Sequence, residues 1–254
     1  MTVVPRLEIT DLRVGFDSTP VLDQLSLSVG SGEFVSILGP SGSGKSTLLS
    51  VLTGGLSAQA GEISIDGTRI THSDPSTFSY MPQRDSLLPW RRILDNATLG
   101  LEIGGMPRKQ ARRKAAPLFA EFGIAGSEQR YPRQLSGGMR QRVALLRTVV
   151  QGKDLLLLDE PFGAVDAITR AELQRWVAQM WETHRWTVVL ITHDIREALL
   201  LSDRVLVLGG QPARVAHEVT VPRTGPRDLD FLTEPHIVAL ERELYRALLP
   251  EASA

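Results

Sequence analysis

Four short apolar runs set the architecture: FVSIL (34–38), LLLLDE (155–160), TVVLITHD (187–194) and RVLVLGG (204–210). The last three are separated by helix-like stretches, AITRAELQRWVAQMWETHR and IREALLLS. A strand that is apolar on both faces must be covered on both faces, and strands alternating with helices supply that cover in a parallel sheet. The fold class that follows is α/β. Elsewhere the pattern differs. LEITDLRVGF and VLDQLSLSVG alternate apolar and polar residues, as antiparallel strands with one wet face do. EISIDGTRI reads as a short strand with a turn at Asp66-Gly67, and TFSYMPQ (77–83) as another strand. From about Asp85 to Gly152 helical periodicity dominates, including MPRKQARRKAAPLFAEFG, and PHIVALERELYRALL forms a last helix beyond a Pro-rich connector at 222–226. The expected organisation is a main domain over 1–225, with a helical segment at about 85–152, and a helical tail over 226–254.

A chain of 254 residues has room for one large α/β domain or a domain with a subdomain. The formal charge of -1 argues against a generally basic nucleic-acid binder. Absence of cysteine excludes disulfides and thiolate metal sites and suits a reducing compartment. The opening MTVVPRLEITDLRV shows no basic region followed by an apolar core, so no signal peptide is expected. No apolar run approaches the roughly 20 residues that span a bilayer. Any membrane role is therefore expected to run through a partner.

The stretch GPSGSGKST follows FVSIL directly and precedes the helix-like LLSVL. Gly39, Pro40, Ser41, Gly42, Ser43, Gly44, Lys45, Ser46 and Thr47 match the pattern Gly-x-x-x-x-Gly-Lys-Ser in its required strand-to-helix context. Glycines let successive N–H groups turn toward one anion, and the helix N-terminus adds partial positive charge. Lys45 would neutralise β- and γ-phosphates, and the Ser46 hydroxyl would ligate Mg²⁺. LLLLDE delivers Asp159 to the metal shell and Glu160 to the attacking water; a helix cap or solvated turn is the plain alternative. His193 ends TVVLITHD at the same sheet edge, placed for the γ-phosphate, although a lone histidine there is often a cap or surface group. Gln83 ends its strand similarly, where its amide could touch Mg²⁺ or water.

P-loops serve many ATPases, so the glycine loop defines a site and not an activity. LSGGMRQRVALLR (135–147) discriminates further. Ser136, Gly137 and Gly138 open an amphipathic helix and form a second anion-facing N-terminus. One triphosphate has no need of two such sites in one chain, so the second would cover ATP held by another copy; a serine helix cap with glycines for a turn is the plain alternative, which explains the helix start but not the spare anion site.

With GPSGSGKST, Gln83, LSGGMRQR, LLLLDE, Asp166 in PFGAVDA, and His193 in order, the chain resembles the ATP-binding-cassette (ABC) transporter ATPases over nearly its whole length. The resemblance implies a RecA-like P-loop NTPase core, an N-terminal antiparallel β subdomain and an inserted α-helical subdomain. It implies a homodimer sandwiching two ATP, with Ser136 and Gly138 reaching the partner's γ-phosphate and Asp166 at the seam. Met139 stands where the family usually has Gln, and Val165 where it has Leu. The adenine-stacking ring is usually tyrosine; Phe16 is the candidate here, with ordinary core as its alternative. LLPW (87–90), the Asn-containing helix after it and LGLEI are similar to importer ATPases for nitrate, sulfonates, taurine and pyrimidine thiamin precursors. Leu87, Leu88, Pro89 and Trp90 would form an apolar knuckle receiving a helix of the transmembrane permease, part of it capping the subdomain's own core. The basic run RKQARRK (108–114) reads as a solvated helix face. The family role implied is an energy-coupling subunit at the cytoplasmic face of the membrane, served indirectly by an extracytoplasmic solute-binding protein. The rival, a soluble ABC ATPase of DNA repair or translation, would bring coiled-coil insertions, zinc modules or two cassettes, and none is present. The tail beyond Val221 is expected to hold no ligand-sensing barrel.

Overall fold

The computed structural model describes residues 4–17, 19–70, 77–163, 165–223, 227–228 and 230–249. Part of the Pro-rich connector, 224–226, and Ala164 of PFGAVDA lie outside them. The chain opens with β1 (Leu7–Phe16) and β2 (Thr19–Val29), followed by β3 (Phe34–Leu38), α1 (Lys45–Leu52), β4 (Ala60–Ile65), β5 (Thr68–Arg69) and β6 (Ser79–Met81). Five helices come next: α2 (Ile93–Ala97), α3 (Leu99–Ile103), α4 (Arg108–Ala115), α5 (Leu118–Glu121) and α6 (Gly137–Val149). Strands and helices then alternate through β7 (Leu155–Asp159), α7 (Ala167–His184), β8 (Thr187–Thr192), α8 (Ile195–Leu201) and β9 (Arg204–Gly209). The end consists of β10 (Arg214–Thr220) and α9 (Pro235–Leu248).

Two sheets result. An antiparallel one runs β2-β1-β4-β5, and a larger one runs β10-β9-β3-β8-β7-β6, parallel except for β10. In β1, Leu7, Ile9, Leu12 and Val14 are buried, and the alternation slips where Asp11 takes a φ of 50°. That slip is a bulge, and it keeps the apolar side of the strand inward.

The parallel strands separate two buried clusters. Phe34, Leu156, Leu158, Val188, Leu190, Val205 and Val207 pack with the helices. Their sequence neighbours Val35, Leu155, Leu157, Val189, Ile191, Leu206 and Leu208 pack with α1 and the antiparallel sheet. Because successive side chains leave opposite faces of a strand, the uniform apolar runs fill both clusters at once. Trp181 of α7 meets Phe34 edge-on at 5.8 Å.

β10 is an addition to the elements foreseen. RVAHEVT lies at the sheet edge with only Val219 buried, so it lacks the apolar run that marks its neighbours. The basic helix α4 presents the expected solvated face, with Arg108, Lys109, Arg113 and Lys114 exposed, but two of its arginines also have a structural partner. Arg108 and Arg112 hold the buried carboxylate of Asp95 at 2.7 and 2.6 Å. Burial alone would raise the Asp95 pKa, but hydrogen bonds from the two arginines outweigh it and hold the carboxyl below its usual range.

Candidate functional site: the carboxyl edge of the parallel sheet

Sheet order explains how distant sequence segments meet. Neighbouring strands β3, β8, β7 and β6 run parallel, so their C-terminal ends form one row. Those ends carry the glycine loop, His193, Asp159-Glu160 and Gln83 respectively. A ligand lying along this edge meets all four groups.

The loop is built by backbone conformation. Gly42 and Gly44 take φ of 82° and 84°, where a side chain is strained. Gly39 is required for space, because a Cβ there would lie 2.4 Å from Ser43 Oγ and 3.0 Å from the Leu208 carbonyl oxygen. Ser43 Oγ is itself buried and without a protein partner. Gly44 precedes α1 with no side-chain cap, and the first turn holds no acidic residue. The first-turn N–H groups thus remain available to an anion. Lys45 is buried, and its ammonium donates to the carbonyl oxygens of Gly39 (2.7 Å) and Pro40 (2.8 Å). Burial lowers its pKa, while Glu160 and Asp159 pull the other way.

The carboxylates occupy different settings. Burial raises the Asp159 pKa, with Glu160 adding to the rise and Tyr80 and Lys45 opposing it. Glu160 leaves β7 with a φ of 41°, an unfavourable conformation for a residue with a long side chain, and its N–H donates to the Ile191 carbonyl oxygen at 2.8 Å. Its two oxygens have separate partners. Gln83 Nε2 donates to Oε2 at 2.9 Å, and His193 Nδ1 stands 3.1 Å from Oε1.

A hydroxyl and carboxylate oxygens are hard donors suited to Mg²⁺. Ser46, at the start of α1 beside the anion cradle, and Asp159 fit such an ion, with Gln83 within the same group. No set of three or more His, Cys, Asp or Glu that could hold a metal occurs among the described residues.

Ser136, Gly137 and Gly138 stand elsewhere in the chain's interaction pattern. Ser136 caps α6, its Oγ accepting from Met139 N at 3.3 Å. A Cβ on Gly137 would come within 3.4 Å of Val165 Cγ1, and one on Gly138 within 2.6 Å of Thr169 Cγ2. The serine loop thus packs against the start of α7, which Asp166 caps by accepting from Thr169 N. Among the described residues no hydrogen bond or ion pair joins Ser136 to Lys45, Asp159 or Glu160. Phe16 ends β1, is 48% exposed and belongs to neither buried cluster, so it is not core.

Sequence reasoning missed Tyr80, whose hydroxyl donates to Asp159 Oδ2. Only the β6–β7 pairing, Tyr80 opposite Leu157, brings the two together. It noted the asparagine of the following helix but not what Asn96 does. That buried side chain accepts from Leu88 N (2.6 Å) and donates to the Leu88, Arg91 and Arg92 carbonyl oxygens, shaping the turn before α2. Of the LLPW residues, Leu87 is core whereas Trp90 is 73% exposed.

A glycine cradle at a β–α junction, with carboxylates at the end of the next-but-one parallel strand, defines a P-loop nucleoside triphosphatase. The chain belongs to the ABC transporter family, whose profile matches residues 22–163. It is 44% identical over 238 residues to the formylaminopyrimidine import ATP-binding protein ThiZ of Halalkalibacterium halodurans, covering 93% of this chain and 92% of that one. It is 40% identical over 248 residues to the aliphatic sulfonates import ATP-binding protein SsuB 1 of Rhodococcus jostii, covering 98% and 95%. Among solved structures, the dimeric bacterial ABC transporter cassette MJ0796 matches with TM-score 0.71 and 28% identity, over 85% of this chain and 99% of that one. The cbiO1 subunit of Clostridium perfringens shares the fold, with TM-score 0.76.

Proposed function

We propose that the chain is the ATP-hydrolysing, energy-coupling subunit of an ABC importer, and that two copies build two composite ATP sites between them. The observation that carries the reading is Glu160, poised between Gln83 and His193 at the sheet edge that also holds the Lys45 cradle. Phosphates would lie on the N–H groups of residues 39–47, with Lys45 against the β- and γ-phosphates and Phe16 stacked on adenine. Ser46 and Asp159, with Gln83 nearby, would hold Mg²⁺, which when bound neutralises phosphate charge. Glu160 would accept the proton of the attacking water, and His193 would hold that water and the γ-phosphate in line. Ser136, Gly137 and Gly138 would close over the ATP of the second copy, with Asp166 at the seam. MJ0796, a dimeric cassette also solved with ADP and Pi, supports this pairing.

Work is extracted because ATP binds the closed pair more tightly than the open one; equal affinity would shift nothing. Permease subunits would read the closure through the Trp90 turn, from the cytoplasmic face of the membrane. No helix among the described residues is long and apolar enough to cross the bilayer itself. An extracytoplasmic binding protein would deliver the solute, and import relatives named for formylaminopyrimidine, taurine and aliphatic sulfonates favour a solute of that group. The soluble ABC ATPases of repair or translation are disfavoured by those same import relatives.

The test is steady-state Mg-ATP turnover. Wild type should hydrolyse ATP, and Glu160→Gln should fall by about 10²-fold or more while forming an ATP-dependent dimer on size exclusion. No turnover by wild type and a variant that stays monomeric with ATP would overturn the assignment.

A further inference from the structure

Two groups of opposite charge sit between α7 and α8 with hydrogen-bonding atoms unmet. Arg170, in the first turn of α7, donates through Nη2 to the Val165 carbonyl oxygen at 3.3 Å, while its Nε is buried without a partner. Glu197 of α8 is 5% exposed. Its Oε2 accepts a long bond of 3.4 Å from Gln174 Nε2; its Oε1 has no partner within hydrogen-bond geometry, although the Thr192 hydroxyl is near enough to act on the carboxyl. The guanidinium acts electrostatically on this carboxyl. Nothing in the hydrolytic scheme above uses either residue.

Their positions give the pair its meaning. α8 starts at Asp194, directly after His193, so Glu197 lies on the element that carries the chain's own γ-phosphate contact. Arg170 holds the carbonyl of Val165, the residue that packs on Gly137 beside Ser136 and precedes Asp166. In the composite arrangement the first of these belongs to one ATP and the second to the other.

We propose that Glu197 is a positioning residue that couples the two ATP sites: on dimer closure Arg170 engages Glu197 Oε1 and locks the His193 turn to the Val165–Asp166 loop. The inference rests on the composite-site reading. In the structure described here burial pushes the Glu197 carboxyl up to about 8; Asp194 adds to the rise, and Thr192, Gln174 and Arg170 oppose it. A neutral acid tolerates an unmet oxygen that a buried carboxylate would not. Approach of the guanidinium then favours the charged form and supplies the missing bonds.

This chemistry separates a coupling role from plain packing. Glu197→Gln reproduces the neutral acid in shape and hydrogen bonding but cannot form the ion pair. In a Glu160→Gln parent, which should dimerise with ATP, the readout is the ATP concentration at half-maximal dimer by analytical ultracentrifugation. Glu197→Gln and Arg170→Met should each raise it about fivefold to tenfold, and the double variant no further than either single one. The melting temperature of Glu197→Gln should not fall below that of the parent, since glutamine keeps the neutral side chain when folded and, unlike the acid, gains no charge on unfolding. An unchanged midpoint in Glu197→Gln, effects that multiply in the double variant, or a melting-temperature fall large enough to explain the shift would overturn the coupling while leaving the composite site intact. A parent that fails to dimerise would overturn the composite site itself, and the coupling with it.

Discussion

The Tyr80 hydroxyl donates to Asp159 Oδ2 at 3.3 Å, tying β6, the strand just before Gln83, to the carboxylate at the end of its neighbour. Burial, and then the Asp159 charge, push the Tyr80 hydroxyl up to about 12, so it remains a donor throughout the useful pH range. A donor fixed on one oxygen restricts the rotation of the carboxylate and leaves its other oxygen free of that bond. Groups that orient a metal ligand are worth about 10-fold or more in metal affinity when lost. Tyr80→Phe should therefore raise the Mg²⁺ concentration for half-maximal ATPase by roughly tenfold, with little change in dimerisation at saturating Mg-ATP. A Mg²⁺ titration at fixed ATP checks this, and an unshifted midpoint would show that the hydroxyl does not set the carboxylate.

Gly138 leads to a second prediction. A methyl group there would approach Thr169 Cγ2 to 2.6 Å, at the junction of α6 with the start of α7. Gly138→Ala should cost about 1–3 kcal/mol by overpacking and push the Ser136 loop away from the Asp166 cap. ATP binding to the isolated subunit should persist while ATP-dependent dimerisation fails. Adding Thr169→Ser removes the clashing methyl and should restore the dimer. Thermal melts and size exclusion with ATP read both effects, and no rescue by the serine would mean that the clash is not the cause.

The parallel sheet was legible because its strands are buried on both faces, and FVSIL appears in the structure with the bounds read from sequence. The glycine loop and LLLLDE were legible for the related reason that each follows such a run. What stayed hidden were lateral relations. Tyr80 and Asp159 lie 79 positions apart and meet only through strand order. Arg170 and Glu197 look like ordinary helix-surface charges until α7 and α8 are packed. β10 carries one buried residue, too little apolar pattern for an edge strand to declare itself. The helix α4 shows the same limit in reverse, since its charges gave no sign that Asp95 lay beneath them.

Trp90 and Asn96 divide the work of the exposed turn. Asn96 is fully buried and bonds the backbone at Leu88, Arg91 and Arg92, so Asn96→Ala leaves several polar groups unmet. That variant should lose roughly 2–3 kcal/mol and disorder the turn. Trp90 is exposed and Leu88 half-buried at the same turn. Replacing both with serine should leave basal hydrolysis intact and weaken co-purification with the permease subunits. Unchanged co-purification of the double serine variant would refute the docking role of this turn.

Glu197 also makes stability depend on pH in a set direction. Its carboxyl is raised from 4.5 to about 8 by burial and by Asp194, against Thr192, Gln174 and Arg170. The folded chain thus holds a proton between those values that the unfolded chain releases, so stability falls as pH rises through the window. The contribution is fully present below about pH 4.5 and is lost once pH passes the raised value. At about 1.4 kcal/mol per unit the difference amounts to several kcal/mol across the range. Other groups titrate there too, so the informative quantity is wild type minus Glu197→Gln, because glutamine stays neutral throughout. Chemical denaturation of both proteins at pH 5.5 and pH 8.5 should show wild type losing stability relative to the variant at the higher pH. An equal difference at the two values would mean that the buried acid keeps an ordinary pKa, and that the space between α7 and α8 already solvates its charge.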